Sequence, residues 1–183
     1  MKVDIFNTDK KYNIIYTDPP WQYRVWSKKG TGRSAENHYP TMPKQEIANM
    51  PIQNICEKDS VLLLWVTAPC LTEGIELIKS WGFEYKTIAF AWIKRNKKSP
   101  TWFWGMGYYT RANAELCLLA TRGKPLKRIS RAVHSIIDTP IERHSKKPDE
   151  ARKRITELFG DLPRIELFAR QYVDGWDCWG NEV

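Results

Sequence analysis

The chain has 183 residues, 42% of them hydrophobic, with a formal net charge of +8 and a pI of about 9.3. That length and apolar content suit one domain spanning 1–183 and exclude a disordered tail. No stretch approaches the length of a membrane span, and the start MKVDIFNTDKK lacks an apolar signal core, so a soluble, cytoplasmic protein is expected.

Tyr12 to Thr17 (YNIIYT) is a short apolar run stopped by Asp18-Pro19-Pro20, the pattern of a buried strand ended by a proline pair. A short helix is predicted over Thr41–Met50, with Pro43 near its first turn. Ser60 to Thr67 is nearly all apolar, as expected of a strand covered on both faces. Leu71, Ile75, Ile78 and Trp81 recur at helical spacing, and Gly82 ends that helix. Strands are predicted over Tyr85–Ile93, Ala114–Thr121 and Arg131–Ile137. Pro148 to Phe159 carries the clearest helix signal: Pro148 at the start, Asp149 and Glu150 in the first turn, and Gly160 closing it. Arg164–Ala169 returns as a strand. This alternation predicts an α/β fold with a mostly parallel sheet and helices on both faces, and ligands beyond the carboxyl ends of the strands. Asp18 and Arg170 lie just past such ends.

Two long loops interrupt the alternation. Gln22–Pro40 is polar and basic. Lys94–Arg111 interleaves three lysines and two arginines with Trp102, Phe103, Trp104, Tyr108 and Tyr109. Basic residues among aromatics at a ligand-bearing edge suit a nucleic-acid groove, and the net charge favours a polyanionic partner; a lid packing on its own aromatics is the bland alternative. Nine Trp and eight Tyr add candidate stacking surfaces, although at least half are expected to line the core. Cys56, Cys70, Cys117 and Cys178 show no CxxC spacing, and the three histidines form no ligand pattern with them. Neither a metal site nor a disulfide framework is predicted.

The tetrapeptide Asp18-Pro19-Pro20-Trp21, with a strand before it and a polar loop after, points to a definite chemistry. The N6 amine of adenine is a weak nucleophile because its lone pair is delocalised into the ring. The Asp18 carboxylate and the Pro19 carbonyl can accept its two N–H groups. That aims the lone pair at an electrophilic methyl and stabilises the positive charge that develops. Prolines stiffen the turn, and Trp21 is expected to stack on an extruded base. The alternative is a strand-ending turn with Trp21 packed inward.

The chain resembles the DPPW-type N6-adenine methyltransferases, the family of the catalytic subunit of eukaryotic messenger-RNA adenosine methyltransferase, with bacterial and phage members. The resemblance runs from about Asp4 to Glu182 through DPPW (18–21), HYPTM (38–42), LLLWVT (62–67), HSKKPDE (144–150), IELFAR (165–170) and WGN (179–181). It implies a Rossmann-like, S-adenosylmethionine-dependent fold with permuted motif order: the catalytic strand comes first, and the cofactor-binding strand last and without a glycine-rich loop. It also implies that Tyr39 helps cover the target adenine, that Lys147 pairs with the cofactor's carboxylate, and that Arg170 and Asn181 hold its ribose. Glu166, Glu182, Asp4 and Ile5 match further cofactor positions. Together with the loop aromatics Trp102, Trp104 and Tyr108, these are the candidate site residues. Tyr172 stands where the family commonly has His, and Glu182 where it has Gln.

Adenine-N6 methylation of DNA is the leading expectation, since no added RNA-binding domain is visible. The same chemistry on RNA is its close variant, and cytosine-N4 methylation a more distant one. A non-catalytic nucleic-acid-binding subunit with a decayed methyltransferase fold, or a small-molecule methyltransferase, is the reading from another class. Family members often work as dimers, so a homodimer is a further expectation.

Overall fold

The computed structural model describes residues 1–21, 42–143 and 146–183. The Gln22–Pro40 loop, Tyr39 and the start of the HSKKPDE motif therefore lie outside the described residues. The elements in chain order are β1 (Tyr12–Thr17), α1 (Lys44–Ala48), β2 (Cys56–Val66), α2 (Leu71–Ser80), β3 (Glu84–Arg95), β4 (Glu115–Arg122), β5 (Ile136–Pro140), α3 (Asp149–Phe159), β6 (Arg164–Leu167) and β7 (Asp177–Trp179). Among the described residues no helix is long and apolar enough to cross a membrane.

The strands form one seven-stranded sheet in the order β5-β3-β4-β2-β1-β6-β7. Among the described strands only β4 runs antiparallel to its neighbours; the other strand pairings are parallel. β1 is central. Ile15 lies in register between Leu62 of β2 and Ile165 of β6, and Tyr16 between Leu63 and Glu166. Because successive side chains point to opposite faces, these rows separate two cores. Ile15, Leu62, Leu64, Ile165 and Leu167 pack under α1 and α2 with Ile47, Leu77 and Ile78. Ile14, Tyr16, Val61, Leu63 and Trp65 pack under α3 with Ala151, Ile155 and Phe159. Both faces are covered, which explains the unbroken apolar run of β2.

The chain moves from β1 through β2 to one side of the sheet and returns through β6 and β7 to the other. The reversal sits at the carboxyl end of β1, the place where an open α/β sheet leaves a crevice for ligand.

Boundaries differ from the sequence reading where local signals are weak. The helix expected over Thr41–Met50 is only Lys44–Ala48. The strand expected over Arg131–Ile137 is displaced to Ile136–Pro140, because its ladder is set by β3 from Ala91 to Arg95 rather than by its own apolar run. β7, which the sequence reading missed, has three residues.

α2 lies so close to β2 that a Cβ at Gly74 would stand 2.5 Å from Val66 Cγ1, in a buried contact. Alanine is the better helix former by about 1 kcal/mol, but overpacking a core costs about 1–3 kcal/mol. Gly74→Ala is therefore expected to lower the urea midpoint despite its gain in propensity. An unchanged or raised midpoint would show that α2 can lift without cost.

Candidate active site

The site forms where four chain segments meet beyond the carboxyl end of β1. Asp18 follows the strand directly. Its Oδ2 accepts a hydrogen bond from Lys147 Nζ at 2.7 Å. Lys147 stands just before α3, only 9% exposed at its side chain, with Nζ 5.9 Å from the centre of the Trp65 ring. It also lies 3.2 Å from Glu115 Oε2 at the start of β4. Lys94, near the end of β3, donates to Glu115 Oε1. Lys94 is held in turn by Asn113, whose amide receives Lys94 N–H and donates to Lys94 O, each at 2.9 Å. The result is a continuous line of contacts, Asp18–Lys147–Glu115–Lys94–Asn113, along one edge of the sheet.

Electrostatics follow from this order. Burial favours a neutral Glu115, but Lys147 and Lys94 together outweigh it and hold the carboxyl down at about 2. Lys147 loses hydration by burial, yet Asp18 and Glu115 raise it above the usual lysine value and keep it charged. Burial pushes Asp18 up from its ordinary value, with Lys147 opposing, so its carboxylate is a better proton acceptor than an exposed aspartate.

The DPPW turn is fixed by its own bonds. Trp21 N–H donates to Pro19 O at 2.8 Å, which orients that carbonyl and leaves it one lone pair for a second donor. Trp21 itself departs from its expected stacking role. Its side chain is buried at 6% exposure in the core under α1 and α2, and its Nε1–H donates to Trp65 O at 3.1 Å. A large ring with one polar edge finds an apolar bed and a strand-end acceptor there, so Trp21 braces the turn from below. Pro20 lines the adjoining cavity.

Two cavities flank Phe168, one residue beyond β6. One is polar and brings Asp18 and Lys147 together with Glu166, Arg170 and Arg143. The other, of about 520 Å³, is largely apolar: Phe6, Pro20, Met42, Met50, Phe168 and Trp179 line it, with Asn181 on its wall. Phe168 and Trp179 meet edge to face at 5.2 Å, and Phe6 lies 6.1 Å from Trp179. Phe168 is the one residue other than glycine with positive φ (56°) among the described residues. Gly180 passes so close to it that a Cβ would sit 2.5 Å from Ala169 O. Arg170 reaches Glu182 at 3.5 Å, which ties the strand-end residue to the WGN segment.

The structure therefore gathers Asp18, Lys147, Glu166 and Arg170 at one cavity and Asn181 at the next. Asp4 is exposed and bonded to Phe6 N and Asn7 Nδ2. Ile5 is a core residue at 2% exposure, and its neighbour Phe6 is the one that lines the apolar cavity. Trp102, Trp104 and Tyr108 stay partly or largely exposed on the hairpin between β3 and β4. Sequence reasoning missed Glu115, Lys94, Asn113, Phe6 and Trp179. A larger cavity of about 600 Å³ opens at the amino ends of β1 and β6, the wrong edge of a parallel sheet for ligand.

An acid and a buried lysine at the switch point of a mixed sheet, beside an apolar cavity, form the layout of an α/β transferase for a mixed polar and aromatic ligand. The MT-A70 family model matches residues 12–182, and the chain belongs to that family, which is made of adenine-N6 methyltransferases. The chain is 37% identical over 190 residues to the type II methyltransferase M.MunI of Mycoplasma sp, an alignment covering 95% of this chain and 78% of that one. It is 27% identical over 176 residues to METTL3 of Homo sapiens, the N(6)-adenosine-methyltransferase catalytic subunit, and 25% identical over 186 residues to an MT-A70-like N(6)-adenosine-methyltransferase of Arabidopsis thaliana. It spans only about a quarter of the length of those last two relatives.

Glu166 yields a pH prediction. Burial raises its carboxyl to about 7, with the Arg152 guanidinium 3.5 Å away partly opposing. The folded state then holds a proton that the unfolded chain releases in the usual carboxylate range. The resulting stability is fully present below that range and is lost as pH rises through about 7. Its size is roughly 3 kcal/mol at most. Urea unfolding from about pH 5 to pH 8 should show stability falling in the wild type and a flatter profile in Glu166→Gln, which mimics the neutral acid. Parallel profiles would mean that Glu166 ionises as an ordinary carboxylate.

Proposed function

We propose that this protein transfers the methyl group of S-adenosylmethionine to the N6 amine of adenine in DNA, with Asp18 and the Pro19 carbonyl as the acceptors that direct the amine. The observation carrying this reading is the recessed Asp18 carboxylate at the switch point, paired with the buried Lys147 ammonium.

The apolar cavity beside Phe168 suits the adenine end of such a cofactor, and the polar residues on the other side of Phe168 offer groups for its methionine end. The apolar cavity, with Phe6, Met50 and Trp179, has aromatic and thioether walls fit for a purine, and its volume is in the range of small-molecule sites. Asn181, Arg170 and Glu182 offer hydrogen-bonding groups for a ribose, and Lys147 offers a cation for a carboxylate. When bound, S-adenosylmethionine supplies an electrophilic methyl on a sulfonium that leaves as a neutral thioether. Asp18 accepts one N6–H and the Pro19 carbonyl the other, so the nitrogen lone pair points away from both. As the N–C bond forms, positive charge grows on nitrogen beside a carboxylate already fixed in place. The same carboxylate, its proton affinity raised by burial, takes up the proton that nitrogen sheds and passes it to solvent.

DNA is favoured over RNA because a relative matched over most of its own length is named a type II methyltransferase, an enzyme of DNA modification. The hairpin between β3 and β4 adds a basic, aromatic surface at the same edge as Asp18, which suits a nucleic acid of either kind. An intact Asp18–Lys147 pair weighs against a decayed, non-catalytic subunit.

The test is transfer of radiolabel from S-adenosylmethionine to DNA and RNA, followed by digestion to nucleosides. Label is expected in N6-methyladenine from DNA. Asp18→Ala should lower the rate by about 10²–10³ while cofactor binding by calorimetry persists. Lys147→Ala should weaken that binding at least tenfold. Label in RNA alone, or full activity in Asp18→Ala, would overturn the assignment.

A further inference from the structure

The hairpin between β3 and β4 has a form that a binding groove does not need. Its base is rigid. Phe103 N–H donates to Lys94 O at 2.9 Å, Arg95 bridges to Trp102, and the Arg95 guanidinium stacks 4.7 Å from the Trp102 ring centre while pairing with Asp138. Asn113 clamps both legs by donating to Lys94 O and Phe103 O. Beyond that base the chain narrows to a second turn. Gly105 N–H donates to Ala112 O at 2.7 Å, and a Cβ at Gly107 would stand 2.0 Å from Thr110 O, so only glycine allows so tight a tip. From this tip project Met106, 85% exposed, and Tyr109, 93% exposed.

Exposure of this kind at a braced tip calls for an occupant. No acidic residue occurs between Asn96 and Ala114, whereas Lys97, Lys98 and Arg111 do, so the surface complements a polyanion. A second copy of the chain, itself at +8, would be repelled. The Tyr108 and Tyr109 rings stand at 84° to each other, so they make no continuous platform for a run of stacked bases. Asp18, meanwhile, is recessed, with its side chain 22% exposed. An adenine held in a duplex cannot bring its N6 amine to such a group and must leave the stack.

We propose that the hairpin tip is a wedge for duplex DNA: Met106 and Tyr109 enter the base stack and fill the gap left when the target adenine is extruded towards Asp18, while Lys97, Lys98 and Arg111 hold the flanking phosphates. The inference rests on the DNA reading above and adds the double-stranded state of the substrate and the residues that open it. Apolar side chains inserted between base steps offset the lost stacking, and an unbranched methionine adapts to the gap it enters. A single strand needs no such opening. The tip is thus required on duplex and dispensable on single strands.

The experiment compares methylation of a long circular single-stranded DNA with that of the duplex of the same sequence, both free of prior adenine methylation. The enzymes are wild type, Met106→Ala/Tyr109→Ala, and Asp18→Ala as the inactive control. Both tip side chains are solvent-exposed, so their removal leaves the fold intact, which circular dichroism checks. The tip variant is expected to lose at least tenfold in rate on the duplex and less than twofold on the single strand. Equal rates for variant and wild type on the duplex, or equal losses on both forms, would overturn the wedge. So would a wild-type dimer that the tip substitutions convert to a monomer on size exclusion, which would make the tip an interface between copies. Label on neither DNA with wild-type enzyme would overturn the DNA reading itself, and the wedge with it.

Discussion

The Lys147 ammonium is the charge around which the site is built. Burying an ammonium costs several kcal/mol unless it is paired and hydrogen-bonded, and here two carboxylates from distant segments meet that demand. Asp18 comes from the end of β1 and Glu115 from the start of β4. Lys147 itself is delivered by the turn into α3. None of the three could be buried in this place alone. Their mutual need pins three elements at the carboxyl edge of the sheet. It also leaves Asp18 partnered yet recessed, which suits an acceptor that must not be hydrated when substrate arrives.

The same line of contacts runs outward as well as inward. Glu115 engages Lys94, and Asn113 fixes Lys94 to the hairpin legs. The basic, aromatic hairpin therefore starts from a clamped base three ion-pair contacts from the Asp18 carboxylate. The surface proposed to meet nucleic acid and the carboxylate proposed to meet its reacting amine are thus joined by one line of contacts.

How much of this was legible in the sequence depended on the range of the signal. β1, β2, α2 and α3 carry their own periodicity, turn glycines and prolines, and they stand near where the sequence places them. The helix α3 even shows the expected Gly160, at a φ of 78°. By contrast, β5 and β7 are defined by what they pair with, and three residues hold no period to read. Asp18 and Lys147 were legible because each sits in a distinctive local string. Glu115 was not: it opens an ordinary strand run, ELCLLATR, and becomes special only when antiparallel pairing of β4 with β2 and β3 brings its side chain to Lys147. Trp21 shows the opposite failing. Its motif suggested an exposed ring, but the direction of a side chain is settled by the space the fold leaves beneath it.

The missing glycine-rich loop has a structural counterpart. In dinucleotide-binding folds such a loop lets backbone approach ligand closely through conformations that only glycine adopts readily. Here the strand that would carry it, β6, is followed directly by Phe168 with a left-handed backbone, and the close approach is made by Gly180, which arrives from β7. The turn and the close approach are thus divided between two neighbouring strands. Ala169 N–H donating to Trp179 O at 2.9 Å locks them together. That division turns the Phe168 ring into the partition between the polar and apolar cavities, and it places Arg170 and Asn181 on opposite sides of it. A phenylalanine tolerates so rare a φ only when its surroundings hold it there, and the edge-to-face contact with Trp179 contributes that restraint. The permuted order of motifs thus arrives at the ligand geometry of an α/β fold by packing rather than by glycine content.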